Sequence, residues 1–340
     1  MRVALDAMGG DHAPSVNVEG AVETVNEYDN IDVILVGDEA SIQQQLRNKR
    51  YRANRISIVH ASQVVEMHEP PMVAIRKKKD SSIRVGIGLV KAGKADAFVS
   101  AGHSGVVMGT SLLLLGTSKV VDRPAIATLM PTLKDTFIML DVGATVDCNP
   151  ENLLQFALMG STYCRLVLGR PNPKVALLSI GEEDIKGNEV TKEAFKLIKN
   201  SKLNFIGNIE GKDIFSGMAD VVVCDGFIGN VALKISEGLA EMILKMLKRE
   251  ISNVSTGRIG YLMMKPAIKN FKKRTDYDEY GGAPLLGING TSIISHGRSS
   301  SKAIKNALRV AADYSAKRVY EAISVDIEND LHDREADSLA

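Results

Sequence analysis

The stretch "VALDAMGGDHAPSVNVEGAVETV", Val3 to Val25, decides the fold. Val3–Leu5 is a short apolar run without polar alternation, which suits a strand buried on both faces. "DAMGGDHAP", Asp6 to Pro14, then breaks the pattern with two acids, two glycines and a proline. Residues 15–28 follow with helical spacing. Strand, glycine-bearing loop and helix make one β-α unit of a parallel sheet.

The unit recurs along the chain. Further strands are expected at Asp32–Val36, Ile56–Val59, Ala97–Ser100, Phe137–Asp141, Val175–Ile180, Asn204–Gly207 and Val221–Cys224. Helices are expected at 39–48, 82–93, 104–116, 151–168, 188–199, 230–252 and 299–322. This alternation predicts an α/β fold with a largely parallel sheet, and ligands bind outside the carboxyl ends of such strands. Segment 253–300 departs from it, being rich in Gly, Ser, Lys and Tyr with little strand signal. So long an excursion is more often functional than idle. The tail beyond Asp326 is acidic and weakly periodic, and is expected to be mobile or marginally helical.

Composition bounds the function. The 340 residues are 45% hydrophobic, enough for a large core and two lobes. A net charge of +1 argues against a general nucleic-acid binder, and no Trp with 5% aromatics leaves few stacking platforms. Cys148, Cys164 and Cys224 show no C-x-x-C spacing and read as buried apolar residues rather than a zinc or disulfide framework. The N-terminus lacks signal-peptide character. The longest apolar run, 106–116, falls well short of the ~20 residues of a membrane span. The expectation is a cytoplasmic protein, with attachment to a membrane surface left open.

Six loops follow strands and combine glycine with small polar or acidic residues: "DAMGGDHAP" (6–14), "SAGHSG" (100–105), "DVGATVDCNP" (141–150), "SIGEEDIKGNE" (179–189), "GNIEGKDIF" (207–215) and "CDGFIGNVALK" (224–234). Together they look like the rim of one site. Glycine lets backbone N–H groups approach a ligand, and beside a helix start those amides favour an anion. A plain capping turn with Ser104 or Asn230 as N-cap is the competing reading. Asp6, Asp11, Asp141 and Asp147 are the carboxylates able to hold Mg²⁺ with a substrate phosphate, or else to bond the backbone of their own turns. Lys186, between Glu182–Asp184 and Gly187-Asn188, suits phosphate as a point charge, or else pairs with Glu182 or Glu183. No dinucleotide fingerprint, P-loop, nucleophile elbow or H-E-x-x-H motif is present.

Together with "DRPAI", "NFIGNIEGKDI" and "DYDEYGGAPLLGINGTSIISHGRSS", these motifs resemble the bacterial phosphate acyltransferase family of phospholipid synthesis. The resemblance runs from about residue 1 to 325, in the family's order. The family's pattern carries Asn-Thr where this chain has His103-Ser104, and Asn where it has Thr145. The resemblance implies a three-layer α/β/α unit similar to phosphotransacetylase and the isocitrate/isopropylmalate dehydrogenases. Its two lobes would be about 1–115 plus 285–325, and 116–284. It implies a homodimer with the site in the cleft, and transfer of a fatty-acyl group from acyl carrier protein to inorganic phosphate. A membrane glycerol-3-phosphate acyltransferase would use the acyl phosphate. No cofactor or metal is expected.

Such a reaction needs position and charge rather than a protein nucleophile. Lys186 is the expected phosphate cation, with Asn188 and Asn230 as donors to phosphate or oxyanion. Gly102, His103, Ser104 and Gly105 would cradle the anion, Gly9 and Gly10 would wall the cleft, Gly226 would belong to the same phosphate and acyl-thioester site, and Asp225 or His296 would orient the donors. A covalent route through Cys148 or Cys224 is the rival mechanism. Within the excursion 253–275, Met264, Ile268 and Phe271 form an apolar stripe beside Lys265, Lys269 and Lys272, a pattern for an anionic membrane surface or for packing on a subunit. Arg76, Lys77, Lys78 and Lys79 would dock the acidic carrier protein, or simply complete a helix end. An NAD/Mg²⁺-dependent decarboxylating dehydrogenase of the same fold group and a non-catalytic membrane scaffold are the alternatives.

Overall fold

The computed structural model describes residues 1–253, 260, 263–266, 271, 279 and 281–339. Its strands are β1 (Arg2–Asp6), β2 (Asp32–Gly37), β3 (Ile56–His60), β4 (Ala97–Ser100), β5 (Ala125–Pro131), β6 (Thr136–Leu140), β7 (Val175–Leu178), β8 (Phe205–Ile209), β9 (Val221–Val223), β10 (Ala283–Leu286) and β11 (Ser292–Ile294). They form one 11-stranded sheet in the order β3-β2-β1-β4-β11-β10-β5-β6-β9-β7-β8. β3, β2, β1, β4 and β11 run parallel, as do β6, β9, β7 and β8. β10 and β5 join the two sets through antiparallel pairings.

The helices are α1 (Ser15–Glu27), α2 (Glu39–Leu46), α3 (Pro71–Lys77), α4 (Ser82–Lys91), α5 (Ser104–Leu114), α6 (Pro150–Leu166), α7 (Glu189–Lys199), α8 (Gly226–Asn253), α9 (Ser301–Ala316) and α10 (Val319–Leu339). They cover both sheet faces, and the apolar strands show why. Successive strand side chains point to opposite faces. Val3 and Leu5 join the core under α1 and α9, while Ala4 joins the core on the other side. Ile138, Leu140, Val221 and Val223 pack with α6, while Met139 and Val222 face away from it. An alternating strand would leave one of these faces wet.

All eight expected strands are present, and the structure adds three. β5, β10 and β11 lie at the centre of the sheet, and two of them fall inside the segment expected to be strand-poor. β10 and β11 are only four and three residues long and β10 begins Ala-Pro, so their local signal was weak and tertiary pairing decides them; β5, at seven residues, was missed although it forms a hairpin with β6. The helix expected at 299–322 is two, broken at Arg318, whose φ is 50°. The acidic tail is helical, one of the two forms expected of it. It forms α10, which buries Ile323 and Ile327 and pairs Arg334 with Glu151 of α6.

Six strand steps separate β1 from β9. At roughly 20–25° of twist per step the sheet turns by about 120–150° between them. The carboxyl ends of two oppositely directed parallel sets therefore swing towards one side. No helix among the described residues is long and apolar enough to cross a membrane.

Candidate active site

The first loop is organised by Asp6 at the end of β1. Its carboxylate accepts from the Met8 N–H at 3.1 Å and the Ser100 hydroxyl at 2.7 Å, and Ser100 Oγ accepts the Gly102 N–H at 2.9 Å. A Cβ at Gly9 would stand 2.4 Å from Asp6 Oδ2 and 2.7 Å from the Gly102 nitrogen, so only glycine closes this loop. Burial pushes the Asp6 carboxyl up, opposed by hydrogen bonds from Ser82, Ser100, Met8 and Gly9. Asn17 of α1 holds the Ala7 and Gly9 carbonyls from behind, and the Asp11 N–H donates to the Gly297 carbonyl at 2.8 Å. The Gly9–Gly10 loop, Gly102 and the His296–Gly297 turn thus form one wall. His103, not Ser104, occupies the N-cap of α5, and its ring does not cap. Its Nδ1 is shielded from solvent without a hydrogen-bond partner among the described residues, beside Gly105.

The second wall is organised by Asp141, at the end of β6 and fully buried. It accepts the N–H groups of Ile126 (2.7 Å), Gly143 (3.2 Å), Ala144 (2.9 Å) and Thr145 (2.6 Å). Burial pushes its carboxyl up and these amides oppose the shift. A Cβ would stand 2.5 Å from Asp141 Oδ2 at Gly226 and 1.8 Å from the Asp141 carbonyl oxygen at Gly229, so α8 packs directly on this turn. Asp6 and Asp141, two of the candidate metal carboxylates, are thereby engaged with the backbone of their own loops. Thr145, a departure from the family pattern, donates its hydroxyl to the Pro124 carbonyl. The helix expected from 230 starts at Gly226, and Asp225 accepts the Ile228 N–H at 2.8 Å as its cap. Asn230 is therefore no cap but a second-turn residue. Its Cγ lies 3.8 Å from where a Gly143 Cβ would be.

Lys186 lies on the loop between β7 and α7. Its stem packs over Gly181, its ammonium is exposed, and it forms no ion pair among the described residues, so the expected alternative of pairing with Glu182 or Glu183 does not hold. Asp184 pairs instead with Lys199. Asn188 caps α7, with Oδ1 accepting the Thr191 N–H at 2.9 Å. That leaves Nδ2 as its donor. β6, β9 and β7 are adjacent and parallel, so the loops of Gly143, Asp225 and Lys186 share one sheet edge. The fifth expected rim loop, 207–215, does not stay there. After β8 it leads away, its Phe215 carbonyl accepts the Leu133 N–H, and its Phe215 ring meets Phe137 edge-on.

His296 marks where the two walls meet. Burial lowers its pKa, Lys234 and Arg298 lower it further, and Glu237 and Asp11 oppose them. Asp11 belongs to the first wall, Lys234 and Glu237 to α8 of the second. Its Nδ1 accepts the Arg298 N–H at 3.1 Å. Lys234 was missed by sequence reasoning, although it lies one helical turn beyond Asn230 and so on the same face.

The thiols are poorly suited to nucleophilic attack. Burial and the charges of Asp141 and Asp225 push Cys148 up to about 12, and the same causes raise Cys224 well above its ordinary value. Arg76, Lys77 and Lys79 are exposed at the end of α3, but Lys78 turns inward to the Val64 carbonyl and Glu69. Met264, Lys265 and Phe271 are exposed. Ile268, Lys269 and Lys272 lie outside the described residues.

Comparison with known proteins bears on the family and the fold. A family model described as "Fatty acid synthesis protein" matches residues 1–322. The phosphate acyltransferase of Thermodesulfovibrio yellowstonii is 59% identical over 324 residues, covering 95% of this chain and 93% of that protein. The phosphate acyltransferase of Geobacter sulfurreducens is 52% identical, covering 97% and 95%. Among solved structures, a phosphotransacetylase from Streptococcus pyogenes superposes with a TM-score of 0.62 at 18% identity, covering 93% of this chain and 94% of that one. A 4-hydroxythreonine-4-phosphate dehydrogenase from Klebsiella pneumoniae gives 0.53 at 14% identity, covering 93% and 97%. These two share the fold. Matched along nearly its whole length, the chain belongs to the phosphate acyltransferase family and is an enzyme that transfers acyl groups to phosphate.

Proposed function

We propose that phosphate bound at Lys186 attacks the thioester carbon of a fatty-acyl group carried by acyl carrier protein. A C–O bond forms, the C–S bond breaks, and the thiolate leaves. The acyl phosphate supplies phospholipid synthesis. The observation that carries this reading is Lys186 itself, an exposed cation without an ion pair among the described residues, beside the starts of α7 and α8 on one sheet edge. Helix starts and a point charge together stabilise a phosphate. On this reading the Asn188 Nδ2 and Asn230 donate to phosphate or to the tetrahedral oxyanion, where one donor contributes roughly 3 kcal/mol. The leaving thiol has an ordinary pKa of about 8.5, so it departs without a strong acid. The same reading has the Gly102–Gly105 loop and His296 close the site from the opposite wall.

The test mixes protein, acyl-carrier thioester and phosphate, and follows thiol release with and without phosphate. Release should require phosphate, and Lys186→Ala should lower kcat/KM for phosphate about 10²-fold. Phosphate-independent release, or near-normal turnover of that variant at low phosphate, defeats the reading.

The same reading places the acidic carrier against Arg76, Lys77 and Lys79, and an anionic membrane bearing the next acyltransferase against Met264, Lys265 and Phe271. Met264→Asp with Phe271→Asp should release the protein from anionic vesicles; undiminished co-sedimentation removes this part. A homodimer fits α8, which exposes Ile235, Leu239, Met242 and Met246 at the 4-3-4 spacing of a helix seam. Light scattering of Ile235→Asp with Met242→Asp should then report monomers.

A further inference from the structure

Five large apolar side chains stand out from the loops around Lys186 and Asn230. Ile180 is 81% and Ile185 76% exposed on the loop after β7; Phe227 is 61% and Val231 43% exposed at the start of α8; Val146 is 53% exposed on the loop after β6. Strand neighbours lie about 4.8 Å apart, so the roots of these three loops span roughly 10 Å. Each loop interleaves its apolar residues with polar ones. Ile180 precedes Gly181, over which the Lys186 stem packs, and Ile185 precedes Lys186. Phe227 follows Gly226 and Val231 follows Asn230. On the facing wall the 6–14 and 101–105 loops expose no large apolar side chain, and the one beside the Gly297 turn is Met67, 50% exposed and 3.6 Å from where a Gly297 Cβ would be.

We propose that Val146, Ile180, Ile185, Phe227 and Val231 seat the fatty-acyl chain of the donor, bringing its thioester carbon against phosphate at Lys186. This rests on the acyl-to-phosphate reading above and adds where the chain lies. An apolar lip interleaved with anion donors matches an amphiphile whose reacting carbon joins an apolar chain to a polar head. Val231 lies one turn before Ile235 on the α8 face given above to a second copy, but Val146, Ile180, Ile185 and Phe227 lie among the anion donors, for which a lipid surface or a second copy would have no use.

The experiment compares wild type with Ile180→Ser, Ile185→Ser and Phe227→Ser. Two readouts are taken: phosphate-dependent thiol release from sixteen-carbon and four-carbon acyl-carrier thioesters, and binding of hexadecyl phosphate against butyl phosphate. Each variant should lose about five- to tenfold on the sixteen-carbon donor and on hexadecyl phosphate. The four-carbon donor, butyl phosphate and the KM for phosphate should stay within twofold. Equal losses on both chain lengths, or none, overturn the proposal. So does unchanged chain-length dependence accompanied by altered oligomeric state or vesicle binding, which would assign the lip to a second copy or to lipid. If wild type releases no thiol yet prefers hexadecyl phosphate, and the variants lose that preference, the seat stands and the reaction assignment falls. Should a serine variant not fold, Phe227→Leu and Ile185→Val keep the comparison, with smaller losses confined to the long chain.

Discussion

Asp6 and Asp141 hold equivalent places in the two halves of the sheet. Each ends a strand, is buried, is pushed up by burial, and meets a glycine whose Cβ would lie 2.4 Å (Gly9) or 2.5 Å (Gly226) from its Oδ2. Their donors differ. Asp141 is fixed by four backbone N–H groups, whereas Asp6 shares its bonds between backbone and serine hydroxyls. Amides cannot turn round; hydroxyls can. The Asp141 wall therefore requires a carboxylate, while the Asp6 wall tolerates a neutral group of the same shape.

Substitution by asparagine breaks or sharpens that contrast, and Asp141→Asn should have the largest effect. The new amide would aim N–H at N–H and strand at least one donor in the interior, at about 1–3 kcal/mol for each. A loss of about 3 kcal/mol, read as a lowered urea midpoint at unchanged m, is expected. Asp6→Asn should cost about 1 kcal/mol, because Ser100 can rotate to accept from the new amide. The sign with pH is the same for both carboxyls, since burial raises each, and so it does not divide them. The Asp6 pKa is raised above 3.8, so its stabilising contribution is complete below that value and is lost as pH rises through the folded pKa. Asparagine removes that loss near neutrality. Equal destabilisation by the two substitutions would end the distinction.

What the sequence showed follows the same divide between local and tertiary signals. The β1 unit was legible because Val3–Leu5, the glycine loop and α1 are contiguous. The central strands β5, β10 and β11 were not: β10 pairs with β5 and β11 with β4, far along the chain, while of the local β5–β6 hairpin only the second strand was picked out. Lys186 and Asn188 could be picked out beside Gly187, within one short loop. Asn230 was named but misplaced, because the carboxylate that caps α8, Asp225, was read as orienting donors instead. Lys234 was missed because its importance arises only when α8 from one half meets His296 from the other. Lys78 reads as surface charge until Glu69, nine residues away, turns it inward.

His296 reports on the junction of the walls, with a smaller effect. Its folded pKa lies below 6.5, so the stability it contributes is lost as pH falls below the unfolded value, with the native imidazole still neutral. The groups acting on it are Lys234 and Glu237 from α8, Arg298 from its own turn, and Asp11 from the Gly9–Gly10 loop. Lys234→Gln should move its titration upward and Asp11→Asn should move it downward, followed by NMR of the imidazole. Movement with neither substitution would mean that the walls do not meet there.

The smallest effect is expected at the thiols, and it discriminates most sharply between mechanisms. Cys148 and Cys224 both lie against the Asp141 wall, and no cysteine lies in the Asp6 loop. If that wall supplied a nucleophile, the two halves would differ in chemistry as well as in hydrogen bonding. A thiol pushed up to about 12, as Cys148 is, holds only about one thiolate in 10⁴–10⁵ near neutral pH, and attack depends on that fraction. The negative charges that raise it, Asp141 and Asp225, also hold the turn and the helix start in place, so the wall cannot shed them to activate the sulfur. Cys148→Ala with Cys224→Ala should therefore keep phosphate-dependent turnover within about twofold per folded molecule, at about 1 kcal/mol of stability for the buried volume lost. Loss of turnover beyond tenfold in folded protein, or an acyl group trapped on either sulfur and seen by mass spectrometry, would place the first chemical step on the protein instead of on phosphate.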